Sequence, residues 1–231
     1  MAGETVKTEA VCLRIVPWSR TSHIVDWLTP DGRVATVVKG AVRPKSAFLG
    51  QYDLNYTCEI VFYARARGDL HALRECSPLA MRETLRGDFR ALVLADYLRG
   101  QVSELAPSGP DCRDWFALLS DALDGLALLR GGSAADGLPL PYARALLSFE
   151  TKALHLSGLA PEIEAGAGAF ALRGERKIPV SPEAARCLRC PESEKNPQIL
   201  LDAARVIGVF YSFHLDCALD ARRTVLRMIS Q

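Results

Sequence analysis

A short basic segment in the N-terminal third of the chain has the residue types needed to bind a phosphate backbone. Lys39, Arg43 and Lys45 place three cations within seven residues, with no carboxylate among them. Gly40 and Pro44 interrupt the segment, which indicates a loop. Cations on such a loop can neutralise phosphates and release their counterions. The alternative is an ordinary solvated surface loop.

This basic loop belongs to a wider cluster of positive charge. Between residues 14 and 45 there are six cations and two carboxylates, a local net charge of +4 in a chain whose formal net charge is +1. Two further arginines lie on a predicted turn at 64–69. Any nucleic-acid surface must therefore come from clustering rather than from overall basicity. The candidate nucleic-acid-binding residues are Arg14, Arg20, Arg33, Lys39, Arg43, Lys45, Arg65 and Arg67.

Aromatic residues are interleaved with these cations, and rings beside cations can hold single strands by stacking on bases. Trp18, Phe48 and Tyr52 lie in or beside predicted turns, so they are the candidates for exposed rings. Tyr56 and Phe62 lie on the apolar face of an alternating segment, and we expect them in the core.

Up to about residue 77, the elements that must position this cluster are predicted to be β-strands. Period-2 alternation and turn residues predict strands at 5–15, 23–29, 34–38, 51–63 and 70–75. A polar turn is predicted at 17–22, and Pro30-Asp31-Gly32 forms a second one. Five short strands in so few residues favour a small closed barrel, because closure removes exposed strand edges.

Helical periodicity follows the β segment. Helices are predicted at 89–105, 111–129, 141–156 and from 197 almost to the end, with a break near 216–220. Gly158 is placed as a left-handed C-cap residue, and Asn196-Pro197 as an N-cap followed by proline. The first helix is predicted to bury Phe89, Leu92, Val93, Tyr97, Val102 and Leu105. The second is predicted to bury Cys112, Trp115, Phe116, Leu119, Ala122, Leu123 and Leu126. The chain is thus predicted to be α+β, with an N-terminal five-stranded barrel over 1–78 and a mostly α-helical domain over 79–231.

The seven cysteines include a single meaningful spacing, Cys187-Leu-Arg-Cys190. A closed structural zinc site needs four ligands, and residues 159–176 supply no cysteine or histidine. We therefore expect Cys187 and Cys190 to be ordinary thiols that bind no metal. The alternative is a metal held by these two thiols and one distant histidine. The odd cysteine count and the lack of a secretory signal predict a reducing, cytoplasmic location.

No arrangement of catalytic side chains stands out in the sequence. The four histidines lie far apart, and the phosphate-binding and nucleophile motifs of common enzyme classes are missing. We expect no catalytic activity, no cofactor and no membrane span. Arg222 and Arg223 are expected on a solvated helix face, with a second DNA contact or a partner contact as the alternative.

In the order of its parts the chain resembles the RecO family of bacterial recombination mediators. The basic loop matches the family pattern at Lys39, Gly40, Arg43, Lys45 and Ser46. Further likeness lies in LRGDFRALVLADYLRGQVSEL, RALLSFETKALHLSGLAP and FHLDCALDARRTVL. Many members carry four cysteines that bind zinc after the second of these segments. Here only Cys187 and Cys190 are present, so the region near 159–195 is expected to be a degenerate zinc site. Near the end, only Arg222 of the family's Ser-Arg pair is retained.

The resemblance implies an N-terminal OB-fold and a helical C-terminal domain. It implies binding to single- and double-stranded DNA, annealing of complementary strands, and no need for a nucleotide. It further implies partners in RecR and in the C-terminal tail of the single-stranded DNA-binding protein, so that the RecA recombinase is loaded indirectly. The expected location is the cytoplasm, in association with the nucleoid. Two alternatives are a protein-docking adaptor whose helical half binds an acidic peptide, and an RNA-binding OB-fold protein without annealing activity.

Overall fold

The computed structural model describes residues 4–65, 68–129, 140–163, 169–171, 177–214 and 219–230. The chain divides into two compact units. The barrel unit comprises Met1–Glu83 and Ala106–Leu123, and the helical unit comprises Thr84–Leu105 and Asp124–Gln231. A stretch of largely helical sequence, Ala106–Leu123, therefore belongs with the strands that precede it.

The first five strands form a closed barrel with the neighbour order β1-β2-β3-β5-β4. Antiparallel pairs join β1 to β2 and β4, β2 to β3, and β4 to β5, and a parallel pair between β3 and β5 closes the barrel. This confirms the predicted OB-type barrel followed by helices. The strands are β1 (Thr5–Ser19), β2 (Ser22–Thr29), β3 (Gly32–Val38), β4 (Thr57–Tyr63) and β5 (Leu70–Ala80).

Two strand boundaries differ from the sequence-based prediction. The predicted turn at 17–22 shrinks to two residues, because Pro17 pairs with His23 and Ser19 with Ser22. The strand predicted at 51–63 begins only at Thr57, since Asn55 has a φ of 68°, in the left-handed region. Leu54 consequently lies exposed in a turn, although it fits the period-2 pattern.

The barrel interior is apolar, with Trp27, Tyr56, Ile60 and Phe62 at its centre. The indole N–H of Trp27 donates a hydrogen bond of 2.9 Å to the hydroxyl oxygen of Thr36, so the one polar group of this buried ring is satisfied. Three cysteines share this core as small apolar side chains, namely Cys12, Cys58 and Cys76.

The segment Ala106–Leu123 packs at the end of the barrel where β3 begins. The backbone N–H of Cys112 donates to the carbonyl of Pro30 at 2.9 Å. Gly32 has a φ of 143°, and an added Cβ would lie 3.1 Å from the carbonyl oxygen of Gly109. The Arg82 guanidinium donates to Thr57 Oγ1 at 2.9 Å and to Ser120 Oγ at 3.1 Å, which ties β4 to α2 (Arg113–Leu128).

The remaining elements lie in or lead into the helical unit. Its helices are α1 (Phe89–Leu105), α3 (Leu140–Leu156), α4 (Pro182–Arg189), α5 (Pro197–His214) and α6 (Leu219–Ser230). A small antiparallel sheet that was not predicted from the sequence consists of β6 (Glu162–Ile163), β7 (Ala169–Ala171) and β8 (Lys177–Pro179). Short 3-10 turns occur at Glu83–Gly87 and Pro191–Ser193. The predicted break falls between α5 and α6, where 215–218 lie outside the described residues.

Local capping explains where several helices begin and end. The Asn196 side-chain oxygen accepts from the N–H of Gln198 at 2.9 Å, as predicted for an N-cap. Gly158 has a φ of 69° and donates its N–H to the carbonyl of His155, which confirms the C-cap. Helix α4 was not predicted, although the Ser181 hydroxyl caps it by accepting from the N–H of Ala184 and Pro182 occupies its first turn.

The prediction for the buried face of α2 is confirmed, but the prediction for α1 is wrong in part. Trp115, Leu119 and Leu123 of α2 are buried. On α1, Phe89 is 73% exposed and Leu92 is also exposed, while the buried stripe includes Leu94 and Leu98. Apolar residues occur on both faces of α1, so periodicity alone did not decide which face turns inward.

The helical unit is organised around a buried ion pair between α3 and α6. Arg222 Nε lies 2.7 Å from Glu150 Oε1, and Arg222 Nη2 lies 2.9 Å from Glu150 Oε2. The same Nη2 donates to the carbonyl of Ala204 on α5 at 2.7 Å. The Tyr97 hydroxyl of α1 donates to Glu150 Oε1 at 2.6 Å, and burial raises the pKa of this tyrosine. Four helices thus meet at one guanidinium–carboxylate pair.

This network corrects the expectation that Arg222 lies on a solvated face. Its side chain is only 3% exposed, because three buried acceptor atoms hold it. Its neighbour Arg223 is exposed as expected and pairs with Asp220 one turn earlier. No described helix is both long and apolar enough to cross a membrane.

Candidate nucleic-acid interface

The β1–β2 turn and the loop that follows β3 lie side by side at one end of the barrel. The N–H of Val42 donates to the carbonyl of Thr21 at 3.4 Å, and the N–H of Gly40 donates to the Ser22 hydroxyl at 3.3 Å. His23 pairs with Val38 across the strands that lead into these two segments. Residues 20 and 39–45 are therefore neighbours in space.

Successive turns give the basic loop its shape. Gly40 has a φ of 67°, a conformation that favours glycine. The N–H of Arg43 donates to the carbonyl of Gly40 at 3.1 Å, and the N–H of Ser46 donates to the carbonyl of Arg43 at 2.9 Å. A Cβ on residue 40 would lie 3.3 Å from Arg43 Cδ, so the stem of Arg43 passes close over the glycine backbone.

Four of the predicted cations come together here, and we call Arg20, Lys39, Arg43 and Lys45 the basic loop cluster. All four side chains are exposed to solvent. None forms an ion pair with another residue in the parts of the chain that the structure describes. Their charge is consequently available to an anionic ligand, and without one it is mutually repulsive.

The other predicted cations lie elsewhere on the barrel. Arg14 on β1 is paired with Asp26, with Nε 2.8 Å from Oδ2, so its charge is compensated. Arg33 is half-buried at the start of β3, roughly 20 Å along the strand from Lys39. Arg65 is exposed just after β4, on the turn that leads to Leu70 beside Ala35, and so lies towards the beginning of β3. Arg67 lies outside the described residues.

Of the three candidate stacking rings, the structure exposes Trp18. This indole is 63% exposed near the end of β1, two residues from Arg20. The expectation for Phe48 and Tyr52 is wrong, because both side chains pack against the barrel core. The Tyr52 hydroxyl lies 2.8 Å from His23 Nδ1, its ring meets Trp27 edge-on, and burial raises its pKa. Tyr56 and Phe62 are buried, as predicted.

Sequence reasoning did not single out a second exposed ring, Tyr63, at the end of β4. The Arg74 guanidinium carbon lies 5.7 Å from the centre of this ring, in cation–π geometry. The period-2 pattern contained the necessary information, since Tyr63 follows the buried Phe62 and must face outward. Two exposed aliphatic side chains of the basic loop, Val42 and Leu49, were also not anticipated.

The Cys187–Cys190 pair lies at the C-terminal end of α4. Cys187 is buried, and burial raises the pKa of its thiol to about 11, whereas Cys190 is exposed. In the described ranges, no three His, Cys, Asp or Glu side chains are grouped as metal ligands. Much of the region expected to be a degenerate zinc site, 164–168 and 172–176, lies outside those ranges, so that expectation stays a prediction.

Comparison with known proteins shows what this barrel is similar to. Residues 1–82 match the family model described as the N-terminal region of recombination protein O. The N-terminal barrel is therefore similar to that of the RecO family. The "DNA repair protein RecO" of Moorella thermoacetica is 28% identical over 188 residues, which are 80% of this chain and 65% of that protein. The protein of the same name from Roseiflexus is 28% identical over 192 residues, 83% of this chain and 63% of its own length.

A third RecO protein is also matched over only part of its length. The "DNA repair protein RecO" of Rhodopirellula baltica is 31% identical over 160 residues, 66% of this chain and 53% of that protein. The chain therefore spans less than two thirds of the length of these relatives. The likeness to RecO proteins nevertheless extends beyond the barrel, because the matched stretches are about twice as long as residues 1–82.

Proposed function

We propose that this chain is a RecO-type protein that binds single-stranded DNA through the basic loop cluster and thereby serves DNA repair and recombination. The observation that carries the proposal is four exposed cations, without ion-pair partners among the described residues, gathered at one end of an OB-type barrel beside the exposed Trp18. The printed names of the relatives, DNA repair proteins, support the biological setting.

The physical mechanism is electrostatic and independent of base sequence. Arg20, Lys39, Arg43 and Lys45 neutralise phosphates and release condensed counterions, so affinity falls steeply as salt rises. Trp18 offers a flat apolar face on which any base can stack. Arg33 and Arg65, towards the other end of β3, extend the positive surface along a bound strand.

The same surface supports annealing of complementary strands. Two polyanions that approach one another repel, and a shared cationic surface lowers this repulsion. Unstacked or loosely stacked bases remain free to pair, because the contacts are to the backbone and not to base edges. Binding of double-stranded DNA uses the same phosphate contacts. This function needs no catalytic step, nucleotide or metal.

The proposal extends to the family's partners. The chain would act with RecR and with the C-terminal tail of the single-stranded DNA-binding protein, so that RecA is loaded onto strands coated with that protein. It would work in association with the nucleoid.

The deciding experiment is fluorescence anisotropy of a labelled single-stranded oligonucleotide across a salt series. Lys39→Glu with Arg43→Glu is expected to abolish measurable binding and to leave the fold intact, because both side chains are exposed. The matched control is Arg205→Glu with Arg223→Glu, which gives the same change in net charge at exposed positions of the helical unit. We expect this control to bind nearly as the parent does.

Three results would contradict the proposal. Equal loss of binding in both double variants would mean that net charge alone acts. Unchanged affinity in the Lys39/Arg43 variant would remove the basic loop from the site. An oligoribonucleotide that binds much more tightly than DNA of the same sequence would favour the RNA-binding alternative, since only RNA offers a 2′-hydroxyl.

A pocket in the helical unit favours a second function, docking of an acidic peptide. The pocket has a volume of about 360 Å³, and its lining includes the basic side chains of Lys152 and Arg189, the imidazole of His155 and the apolar side chains of Ile163 and Leu188. Lys152 is paired with Glu192 at 3.0 Å, and hydrogen bonds from Ser148 and from Lys152 lower the pKa of that carboxyl. A carboxylate of the peptide would therefore either displace Glu192 from Lys152 or pair with Arg189 instead.

The test of this second function is titration with a labelled peptide that ends as the single-stranded DNA-binding protein does, in an acidic and apolar tail. Arg189→Glu should weaken peptide binding and leave DNA binding unchanged. The Lys39/Arg43 double reversal should have the opposite effects. If both variants lose both ligands, the two activities are not separate.

A further inference from the structure

A second groove in the helical unit has the opposite electrostatic character. It lies between α1 and α6 and has a volume of about 320 Å³, at the lower end of the range for ligand pockets. Residues one turn apart on α1 form one wall, and Ala221, Thr224 and Val225 of α6 form the other. We call this feature the α1–α6 groove.

The charged residues that line the groove are both acidic. Asp96 and Glu104 lie eight residues apart on α1, which places their Cα atoms about 12 Å apart along the helix. Asp96 is largely exposed and pairs with Arg99 on the same helix. No lysine or arginine occurs among the described residues that line the groove. Because Arg99 already compensates Asp96, the acidic lining supplies carboxylate acceptors to the groove rather than a strong local field.

A third polar residue of the lining, Gln101, has a side-chain acceptor without a donor. The Gln101 side chain lines the groove and is 2% exposed, and its Oε1 atom has no hydrogen-bond partner among the described residues. Buried polar atoms in proteins are nearly always hydrogen-bonded, and an unsatisfied acceptor is costly. Because this oxygen is itself inaccessible to solvent, a ligand N–H would satisfy it once the Gln101 side chain turns towards the groove.

The base of the groove is open because residue 100 is a glycine. An ideal Cβ built on Gly100 meets no heavy atom within 4 Å. A glycine in the middle of a helix costs about 1 kcal/mol relative to alanine. Here it leaves the space at residue 100 unfilled, and Val93 and Val225 contribute apolar side chains to the groove lining.

We propose that the α1–α6 groove binds an arginine side chain presented by a partner protein. The guanidinium would donate to Gln101 Oε1 and to the carboxylates of Asp96 and Glu104, while its aliphatic stem packs between the apolar walls. Arginine suits this set of acceptors better than lysine, since its planar fork offers five N–H donors. The inference does not depend on the proposed DNA function, because it concerns a different surface of opposite charge.

The test is a titration of the ¹⁵N-labelled full chain, followed by NMR, with N-acetylarginine amide at millimolar concentrations. The matched ligand is N-acetylcitrulline amide, which has nearly the same shape but no charge. We expect arginine to shift the backbone amide signals of Gly100 and Gln101, and citrulline to bind about tenfold more weakly, since charge-assisted hydrogen bonds are the stronger ones. Equal effects of the two ligands, or no shift with either, would overturn the proposal.

Two variants locate the site. Gly100→Leu fills the open space and should abolish the arginine-dependent shifts, and Asp96→Asn with Glu104→Gln should weaken binding about tenfold or more. The control is Gly125→Leu on α2, where an added side chain also meets open space, and this variant should bind as the parent does. Thermal unfolding checks that each variant is folded.

A longer arginine peptide should bind more tightly than the amide. Loss of binding in the Gly125 control as well would contradict a specific site. If sedimentation shows that the chain associates with itself and Gly100→Leu disperses it, the occupant is a second copy and the partner assignment is wrong.

Discussion

Arg43 and Arg222 have the same guanidinium group, but one is exposed to solvent and the other is buried. Arg43 is exposed on a loop of the barrel unit, close in sequence to the cations Lys39 and Lys45. Arg222 is 3% exposed in the helical unit, where Glu150 and the carbonyl of Ala204 satisfy it. An exposed cluster of like charge contributes little to folding but is ready to bind an anion. A buried pair cannot reach a ligand, and instead fixes how helices meet.

The comparison teaches that local charge density is a guide to binding only when the charges are exposed and uncompensated. Arg14 shows the intermediate case, since it is exposed but already paired with Asp26. Substitutions at these three kinds of arginine should therefore differ in which property they change and by how much.

The largest effect is expected for Arg222→Ala. The substitution leaves the Glu150 carboxylate buried without its partner, which typically costs about 3–5 kcal/mol of the free energy of unfolding. Urea unfolding measures this loss, and Arg223→Ala, at an exposed neighbour, should change the free energy by less than about 0.5 kcal/mol. Similar values for the two variants would refute a structural role for the buried pair.

A smaller destabilisation is expected for Gly208→Ala on α5. An added Cβ would lie 2.6 Å from Arg222 Nη1, and this side chain cannot move away without losing its hydrogen bonds. Overpacking of this kind costs about 1–3 kcal/mol. Gly125→Ala, where space is open, should instead stabilise α2 by up to about 1 kcal/mol in the same measurement. A stabilising Gly208→Ala would show that Arg222 is less tightly held than its contacts indicate.

In the barrel unit, Lys39→Gln with Arg43→Gln should alter DNA binding but not stability. If both cations contact phosphates, the slope of log K against log salt for single strands should become shallower by about 1.4. The measurement is anisotropy at several salt concentrations, with the unfolding midpoint as a check on the fold. An unchanged slope would mean that these cations do not meet the backbone.

The smallest effect is expected for Arg14→Gln. The Arg14 charge is compensated by Asp26, so its loss should change the salt slope by clearly less than the value of about 0.7 for one phosphate contact. Asp26→Asn sharpens the comparison, because it releases the Arg14 charge and should raise affinity at low salt. If Arg14→Gln matches the loss seen for one loop cation, the ion pair does not persist in solution.

Much of the fold followed from local patterns. Alternation around Tyr56 and Phe62 and the turn at Pro30–Gly32 predict strands, and the barrel confirms them. The bounds of α1 were predicted at Phe89 and Leu105, as the structure has them. The caps at Gly158 and Asn196 depend on neighbouring residues alone, so the sequence was sufficient for them as well.

Features that depend on residues far apart in the sequence were either not predicted or predicted wrongly. Tyr52 lies near a turn in sequence, yet its side chain contacts His23 and Trp27 and its ring packs against the core. Arg222 resembles a surface residue until Glu150, 72 positions earlier, is placed beside it. Which apolar face of α1 turns inward was decided by the helices that pack against it, because both faces offer apolar area to bury.

The sequence by itself determined that the chain starts with a β-barrel, continues with helices, and carries a dense group of cations on a loop after the third strand. These properties follow from short-range periodicity, turn chemistry and charge counting. Only the tertiary structure decided that Arg20 joins Lys39, Arg43 and Lys45 while Arg14 and Arg33 do not. Strand pairing sets which segments become neighbours, and an ion pair can cancel a charge that the sequence shows as free.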